Sequence, residues 1–329
     1  MLSLVLALSL AGTPELAVLS SRGEVGELRF QPLFATTLSE PVVRFTHAEG
    51  SSVLGSVLPG TRVVVASVAM RSGGDLSFAS ALVRLEAGKP ARVLADQLVY
   101  GSRPLVTGEG RVFISRGRAG PALDTLRVDS LAIEEIDPLT AKTRLVSSTQ
   151  GFVAFLAGAL GRELILYEQG PGGARLVAVH VDTLARREVL AQMAPMAHDF
   201  VVDAPRRRVL FTQAAGARWQ VEEVSLTDGA RRVLATGPEV TLLPTVLADG
   251  RVLISDGPGQ GLRALDGKRG LAAQGEGFER LRLERAGLFF GLHERPSDFS
   301  SLFVVRTNGE RVPLLAPANA RLDLAGVLP

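Results

Sequence analysis

Four histidines and a scatter of carboxylates are the only side chains in this sequence whose types and spacing point to chemistry. His47 stands two residues before Glu49, His198 is followed directly by Asp199, and His293 precedes Glu294 and Asp298. An imidazole oriented by a carboxylate can serve as a general base, and convergent imidazoles and carboxylates can hold a metal that polarises a water or a carbonyl. His198 oriented by Asp199 or Glu239 is the candidate base. Adjacent residues on an extended strand point to opposite faces, however, so the His198-Asp199 pair works together only if the chain bends there. A metal needs three or four ligands within bonding reach, which this spacing does not supply, so neither a metal nor a cofactor is assigned. His180 lies inside the alternating run LVAVHVD and reads as structural.

No Gly-x-Ser-x-Gly elbow, His-Glu-x-x-His pair, phosphate-binding Gly-x-x-x-x-Gly-Lys or EF-hand loop occurs. The string DGPGQG at 256–261 follows one strand and leads into another, so the helix N-terminus that would hold a phosphate is missing and a hairpin turn is expected.

What must position these residues is a repeat. ELAVLS, TRVVVAS, GRVFIS, RELILY, RRVLFT, GRVLIS and AGLFFGL recur along the chain; aligned on Leu16, Val63, Val112, Leu164, Val209, Val252 and Leu288 they lie roughly 36 to 52 residues apart. Apolar residues at consecutive positions mark a strand covered on both faces. Each run is followed by a mixed strand such as LVAVHVDT or QVEEVSLT, then a turn, then a closing strand such as REVLA or RRVLA. The turns include Ala87-Gly88, Asp137-Pro138, Asp182-Thr183, Asp228-Gly229, Asp266-Gly267 and Asn308-Gly309. Asp-Gly and Asn-Gly supply the positive φ of two-residue hairpins.

An all-β, seven-bladed β-propeller of four-stranded antiparallel blades is therefore expected, with six blades as the alternative. The first unit has no room for its own first strand, and ARLDLAG at 320–326 is an orphan strand after the seventh unit. The C-terminal strand should complete the first blade, which would hide two sheet edges. In such a meander, loops entering first strands share a face with loops joining second to third strands. His47, Glu49, Asp96, Gln150, His198, Asp199, Glu239, Glu276, His293 and Asp298 are placed in those loops, at the mouth of a central channel.

Gly 35, Pro 18 and 46% hydrophobic residues in 329 suit a turn-rich fold with a large interior. Residues 1–11 are apolar, end in Ser9-x-Ala11 and read as a signal peptide lacking its usual basic start, leaving residues 12–329 as one propeller domain. The expectation is a periplasmic or secreted protein, a monomer without membrane insertion. Cysteine is absent, which removes disulfides, thiolate metal sites and a lipid-modified cysteine. Only Lys89, Lys142 and Lys268 are lysines among 36 basic residues, and the net charge is +2. The runs Arg206-Arg207-Arg208, Arg186-Arg187 and Arg231-Arg232 fall on turns or outer strands where long stems cover apolar surface, and nucleic acid is not expected as a partner. Trp219, the single tryptophan, begins a third strand and reads as packing between blades.

The segments VLADGRVLISDGPGQGLRALDGKRGLA and VDAPRRRVLFTQAAGARWQVEEVSLTDGARRVLA resemble the TolB-type and peptidase-associated propeller repeats, over about residues 14 to 329. The Pro-Asp-Gly turn of that family survives in part, as Ala248-Asp249-Gly250 and Ala204-Pro205-Arg206, and the α/β domain that precedes the propeller in TolB has no counterpart. The resemblance implies a rigid disc that presents loops to a periplasmic protein or peptide. The favoured function is thus a non-catalytic scaffold whose top-face loops bind a protein or peptide, with Ser67 to Ser80 and Ser115 to Asp129 as the longest candidate loops. A hydrolase or lyase with a polar or metal-assisted site at the channel mouth is the alternative.

Overall fold

A computed structural model describes residues 15–32, 35, 38–49, 51, 53–70, 79–119, 128–149, 153–238, 243–247, 249–255, 262–265, 278–285, 288–294, 300–305, 311–313 and 320–328. Its strands run in chain order as β1 (Glu15–Arg22), β2 (Val25–Pro32) and β3 (Val43–Thr46), then β4 (Val53–Val57), β5 (Val63–Ala69), β6 (Ser80–Glu86) and β7 (Arg92–Leu98). Next come β8 (Leu105–Val106), β9 (Val112–Ala119), β10 (Val128–Ile136) and β11 (Thr143–Thr149), followed by β12 (Val153–Leu160), β13 (Glu163–Gly170), β14 (Gly173–His180) and β15 (Arg186–Met193). The chain continues through β16 (His198–Asp203), β17 (Arg208–Ala215), β18 (Arg218–Ser225) and β19 (Arg231–Gly237), then β20 (Leu243–Val246), β21 (Val252–Ser255) and β22 (Leu262–Ala264). It ends with β23 (Phe278–Arg285), β24 (Leu288–Glu294), β25 (Ser300–Val305), β26 (Arg311–Pro313) and β27 (Arg321–Leu328). Among the described residues there is no helix, and so none long and apolar enough to cross a membrane.

The strands are antiparallel neighbours in sequence order, as in β12-β13-β14-β15 and β16-β17-β18-β19. The second strand of each set is the most apolar: β5 is buried at all seven positions, and Leu164 to Tyr167 and Val209 to Phe211 are fully buried. The fourth strand is the wettest: Arg231, Arg232, Val233 and Thr236 of β19 are exposed and only Gly237 is buried. Burial thus falls from the second to the fourth strand, as the runs of apolar and mixed residues require. Between third and fourth strands, Gly88 and Gly229 adopt φ of +73° and +74°. Asp137 closes its own turn by accepting the Leu139 N–H at 2.7 Å, and His180 Nδ1 accepts the N–H groups of Asp182 and Thr183, so His180 is a turn cap.

The chain divides into two compact units, residues 1–112, 137–142 and 281–329 in one and residues 113–136 and 143–280 in the other. In the first unit, β27 pairs antiparallel with β1 from Glu15↔Leu328 to Ser21↔Arg321, giving the order β27-β1-β2-β3. The orphan strand therefore completes the first sheet. β1 and β27 pack against β4 at unusually close range: a Cβ on Gly55 would stand 2.4 Å from Leu19 Cδ1 of β1, and one on Gly326 of β27 would stand 2.9 Å from Val57 Cγ2. Asp323 fastens this joint. It is 4% exposed, accepts the Gly55 N–H at 2.9 Å, and is bound by both terminal nitrogens of Arg103, which also bonds the carbonyls of Gly55 and Leu324.

The core of the second unit is aromatic. Phe200 packs on Tyr167 at 5.3 Å and on Phe211 at 5.5 Å between ring centres, joining the β12–β15 and β16–β19 sheets. Turns stack alongside: Val181 N–H donates to Arg162 O and Leu226 N–H to Arg207 O.

Strands reach farther than their apolar runs indicate. Asp96 lies inside β7 and His293 inside β24, not in entry or connecting loops, because pairing continues past the alternating core of each strand. The two long loops shorten likewise: β5 extends to Ala69 with β6 starting at Ser80, and β9 extends to Ala119 with β10 starting at Val128.

Candidate functional site

Two of the proposed site residues are brought into contact, and a bulge does it. In β16, His198 faces Thr212 and Val201 faces Leu210, so one extra residue is inserted between the two pairs. Asp199 takes up that slack with φ of +52°, the left-handed conformation. The bend supplies what a straight strand cannot: His198 Nδ1 meets Asp199 Oδ2 at 2.6 Å. Phe200 is directed to the aromatic core, while the His198 ring sits 5.3 Å from Trp219 of β18. Trp219 also packs with the cluster of Leu210, Val221, Val252 and Ile254, the packing role expected of it.

The loop before β16 is held as firmly as the bulge. Ala194 N–H donates to Gln213 Oε1 at 3.0 Å, Met196 N–H to Gln169 Oε1 at 3.1 Å, and Ala197 N–H to the Tyr167 hydroxyl at 3.3 Å. The Tyr167 proton is shared between Ala194 O and Gln169 Oε1. Burial pushes the Tyr167 phenol above its ordinary range, against the opposing effect of the backbone N–H bonds, so it stays a neutral donor. Gln213 is fixed in turn by Glu222, a carboxylate 1% exposed that also takes Gln220 and, at 2.9 and 2.7 Å, the guanidinium of Arg231.

Within this rigid frame Met196 is 62% exposed and adopts φ of +59°. Left-handed backbone costs a non-glycine residue about 1–2 kcal/mol. Seven described non-glycine residues adopt positive φ, and six of them sit at recurring places in the repeat. Gln97 and Gln192 each stand next to last in a fourth strand, Ala141 and Leu184 occupy the same position of third-to-fourth turns, and Arg207 stands where the first-to-second turns otherwise have Gly110, Gly161 or Gly250. Met196 likewise stands where the turn after β7 has Gly101, at φ of +71°, so only Asp199 has no such counterpart. Uncompensated strain of this kind concentrates at functional sites.

The chemistry available here is limited by access. His198 is 30% exposed at its side chain, but Nε2 is buried without a hydrogen-bond partner, its Nδ1 being engaged by Asp199. A base must reach a proton, so Nε2 acts only if the ring swings away from its packed position.

The other described candidates have surroundings of their own. His47 is 6% exposed, and its Nδ1 is shared by Ala48 O at 2.7 Å and Ser51 Oγ at 3.1 Å, while Glu49 is exposed. Asp96 and His293 stand in strands as described, and Gln150, Glu239, Glu276 and Asp298 lie outside the described residues. Among the described residues no group of three His, Cys, Asp or Glu side chains is placed to hold a metal. Tyr167, Gln169, Gln213 and Met196 were not singled out from the sequence; an Ala-Pro-Met-Ala stretch just before His198 was the one available signal.

No family model matches the chain, and no curated protein matches it in sequence. Solved structures do match it. TolB from Acinetobacter baumannii aligns at 8% identity over 94% of this chain and 66% of its own, with a TM-score of 0.51. Prolyl oligopeptidase B from Galerina marginata, bound to a 25mer macrocyclization substrate, aligns at 12% identity over 92% of this chain and 51% of its own, with a TM-score of 0.60. The β-propeller domain of the Trilobed protease from Pyrococcus furiosus aligns at 11% identity over 79% of this chain and 82% of its own, with a TM-score of 0.51. The chain thus spans two thirds of the TolB chain and half of the prolyl peptidase. At these identities what is shared is architecture, and the architecture is that of a β-propeller.

Proposed function

We propose that the protein is a non-catalytic scaffold that binds a polypeptide partner through the loop and bulge from Ala194 to Asp199. The observation that carries this is Met196: a large apolar side chain, 62% exposed, on left-handed backbone whose loop donates hydrogen bonds to Gln169 of β13 and Gln213 of β17. Backbone fixed in advance loses little entropy on binding, and the flexible exposed thioether adapts to varied apolar surfaces. His198, Trp219 and Asp199 supply aromatic and polar contacts beside it. TolB and a prolyl peptidase with a bound peptide substrate share the fold, which is compatible with this reading without naming the partner. The propeller is read as one domain over residues 12–329, exported to the periplasm or beyond after loss of residues 1–11, and monomeric. Seven blades are supported by strand grouping: the eight-stranded sheet splits at β7/β8 into two sets of four, and with the other five sheets this makes seven.

A display library of random dodecapeptides selected on the immobilised protein tests the proposal. Selected peptides should lose binding to Met196→Ala and His198→Ala variants that retain the wild-type melting temperature. Undiminished binding by both variants would refute it.

A second reading is favoured by the 2.6 Å contact between His198 and Asp199, which orients the imidazole as in a general base. Esters, lactones and peptides assayed with the wild type and a His198→Ala variant decide it, since equal turnover by the two removes His198 from any reaction.

A further inference from the structure

Among the described residues there are three methionines, and the fold treats them differently. Met193 ends β15, is 6% exposed and packs with Tyr167 and Phe211, whereas Met70 just after β5 is 47% exposed and Met196 is 62% exposed. Met193 and Met196, three positions apart in sequence, thus offer the same sulfur to opposite environments.

The frame around Met196 makes no use of its side chain. The loop is held through main-chain groups: the N–H groups of Ala194, Met196 and Ala197 go to Gln213, Gln169 and Tyr167, and Ala194 O takes the Tyr167 hydroxyl. Gly101 occupies the equivalent position in the turn after β7, so the repeat is built there without any side chain. What the Met196 thioether contributes is surface. A change at its sulfur therefore alters what the loop presents and leaves the conformation of the loop as it is.

We infer that Met196 is an oxidation site through which peroxide switches the binding loop off, an inference that rests on this loop being the binding surface. The step is a two-electron oxygen transfer. A sulfur lone pair attacks one oxygen of hydrogen peroxide, the O–O bond breaks as an S–O bond forms, and the proton left on the transferred oxygen passes to the departing hydroxide. The sulfur is oxidised to the sulfoxide and the peroxide is reduced to water, with no further reagent. A flexible apolar side chain becomes a polar one that accepts hydrogen bonds, at the centre of the proposed contact. Met193 is shielded from the same reaction by its place in the core.

Hydrogen peroxide applied to the full chain, and removed before binding is measured, tests the inference. Peptide mapping by mass spectrometry should find an added oxygen on Met196 and on Met70, while Met193 stays unmodified until the protein is unfolded. The oxidised protein should keep the wild-type melting temperature and bind the dodecapeptides selected on untreated protein about tenfold more weakly or worse, the loss expected when a buried apolar contact turns polar. Methionine sulfoxide reductase with dithiothreitol, which carries the oxygen off as water and ends as its cyclic disulfide, should restore binding. Met196→Leu should bind the peptides and ignore peroxide, Met196→Gln should bind weakly without it, and Met70→Leu should respond as the wild type does. Unchanged binding by protein oxidised at Met196, loss of binding in peroxide-treated Met196→Leu, or a fall in melting temperature that accompanies the loss would overturn the inference. The two failures are distinguishable: peptides that still bind Met196→Ala refute the binding loop itself, whereas peptides that need Met196 yet survive its oxidation refute only the switch.

Discussion

Two acids of this protein, Asp323 in the first unit and Asp199 in the second, are treated in opposite ways by their surroundings. Asp323 stands in β27 in ordinary extended pairing with Leu19, just before a bulge at Ala325, and its carboxylate is met by a backbone N–H and a guanidinium that also binds two carbonyls of the joint it closes. Asp199 stands at a bulge in left-handed backbone, its imidazole partner keeps a buried nitrogen without a bond, and a second strained residue stands three positions before it. The first arrangement spends every polar contact on holding strands together. The second keeps a left-handed bend at Asp199 that has no counterpart among the other described repeats, which sets the proposed binding site apart from a fastening.

The largest expected effect is at the fastening. Asp323→Ala leaves the Arg103 charge with only the Gly55 and Leu324 carbonyls and removes the acceptor of the Gly55 N–H in a buried joint, and should cost about 3 kcal/mol or more, read as a lower midpoint in urea unfolding. A loss below about 1 kcal/mol would mean that Asp323 is as dispensable as a surface ion pair. Next is Gly55→Ala, where the added methyl meets Leu19 and Val64; about 1–3 kcal/mol should be lost by the same measure. The strained region should respond in the other direction. Met196→Gly relieves left-handed strain at an exposed side chain, so stability should rise by about 0.5–1 kcal/mol while binding of selected peptides falls. A stability loss there would put Met196 with the fastenings and erase the contrast.

The smallest effect is electrostatic. The hydrogen bond from Arg187 holds the Glu163 carboxyl below the ordinary range, against a smaller opposing effect of burial, and the same bond raises the Arg187 guanidinium. A depressed carboxyl pKa stabilises the folded state above the unfolded-state pKa, and that contribution disappears as pH falls through the folded-state value. Arg187→Gln should therefore lower stability at neutral pH yet match the wild type at strongly acid pH. Chemical unfolding followed from neutral to acid pH shows whether the two curves converge.

What the sequence made legible was whatever repeats. Second strands, third-to-fourth turns and the pairing of residues 320–326 with the first unit follow from apolar period and turn chemistry, which act locally. The bulge at Asp199 does not, because it depends on where Phe200 finds Tyr167 and Phe211, residues of two different sheets. The sequence could state only the condition, that His198 and Asp199 meet if the chain bends. Asp96 and His293 were assigned to loops because apolar alternation ends before backbone pairing does. Arg103 gave no signal at all: it reaches Asp323 across 220 positions, a contact no local pattern encodes.

The pairing of β27 with β1 also constrains how the molecule is made. β1 is translated well before β27, the strand that covers its edge. Until then a strand with an apolar centre, Leu16 to Leu19, has an open hydrogen-bonding flank, a template for stray pairing with other nascent chains. Closure between such distant segments is slow by nature, so yield of soluble protein should depend on how long that flank is shielded by chaperones.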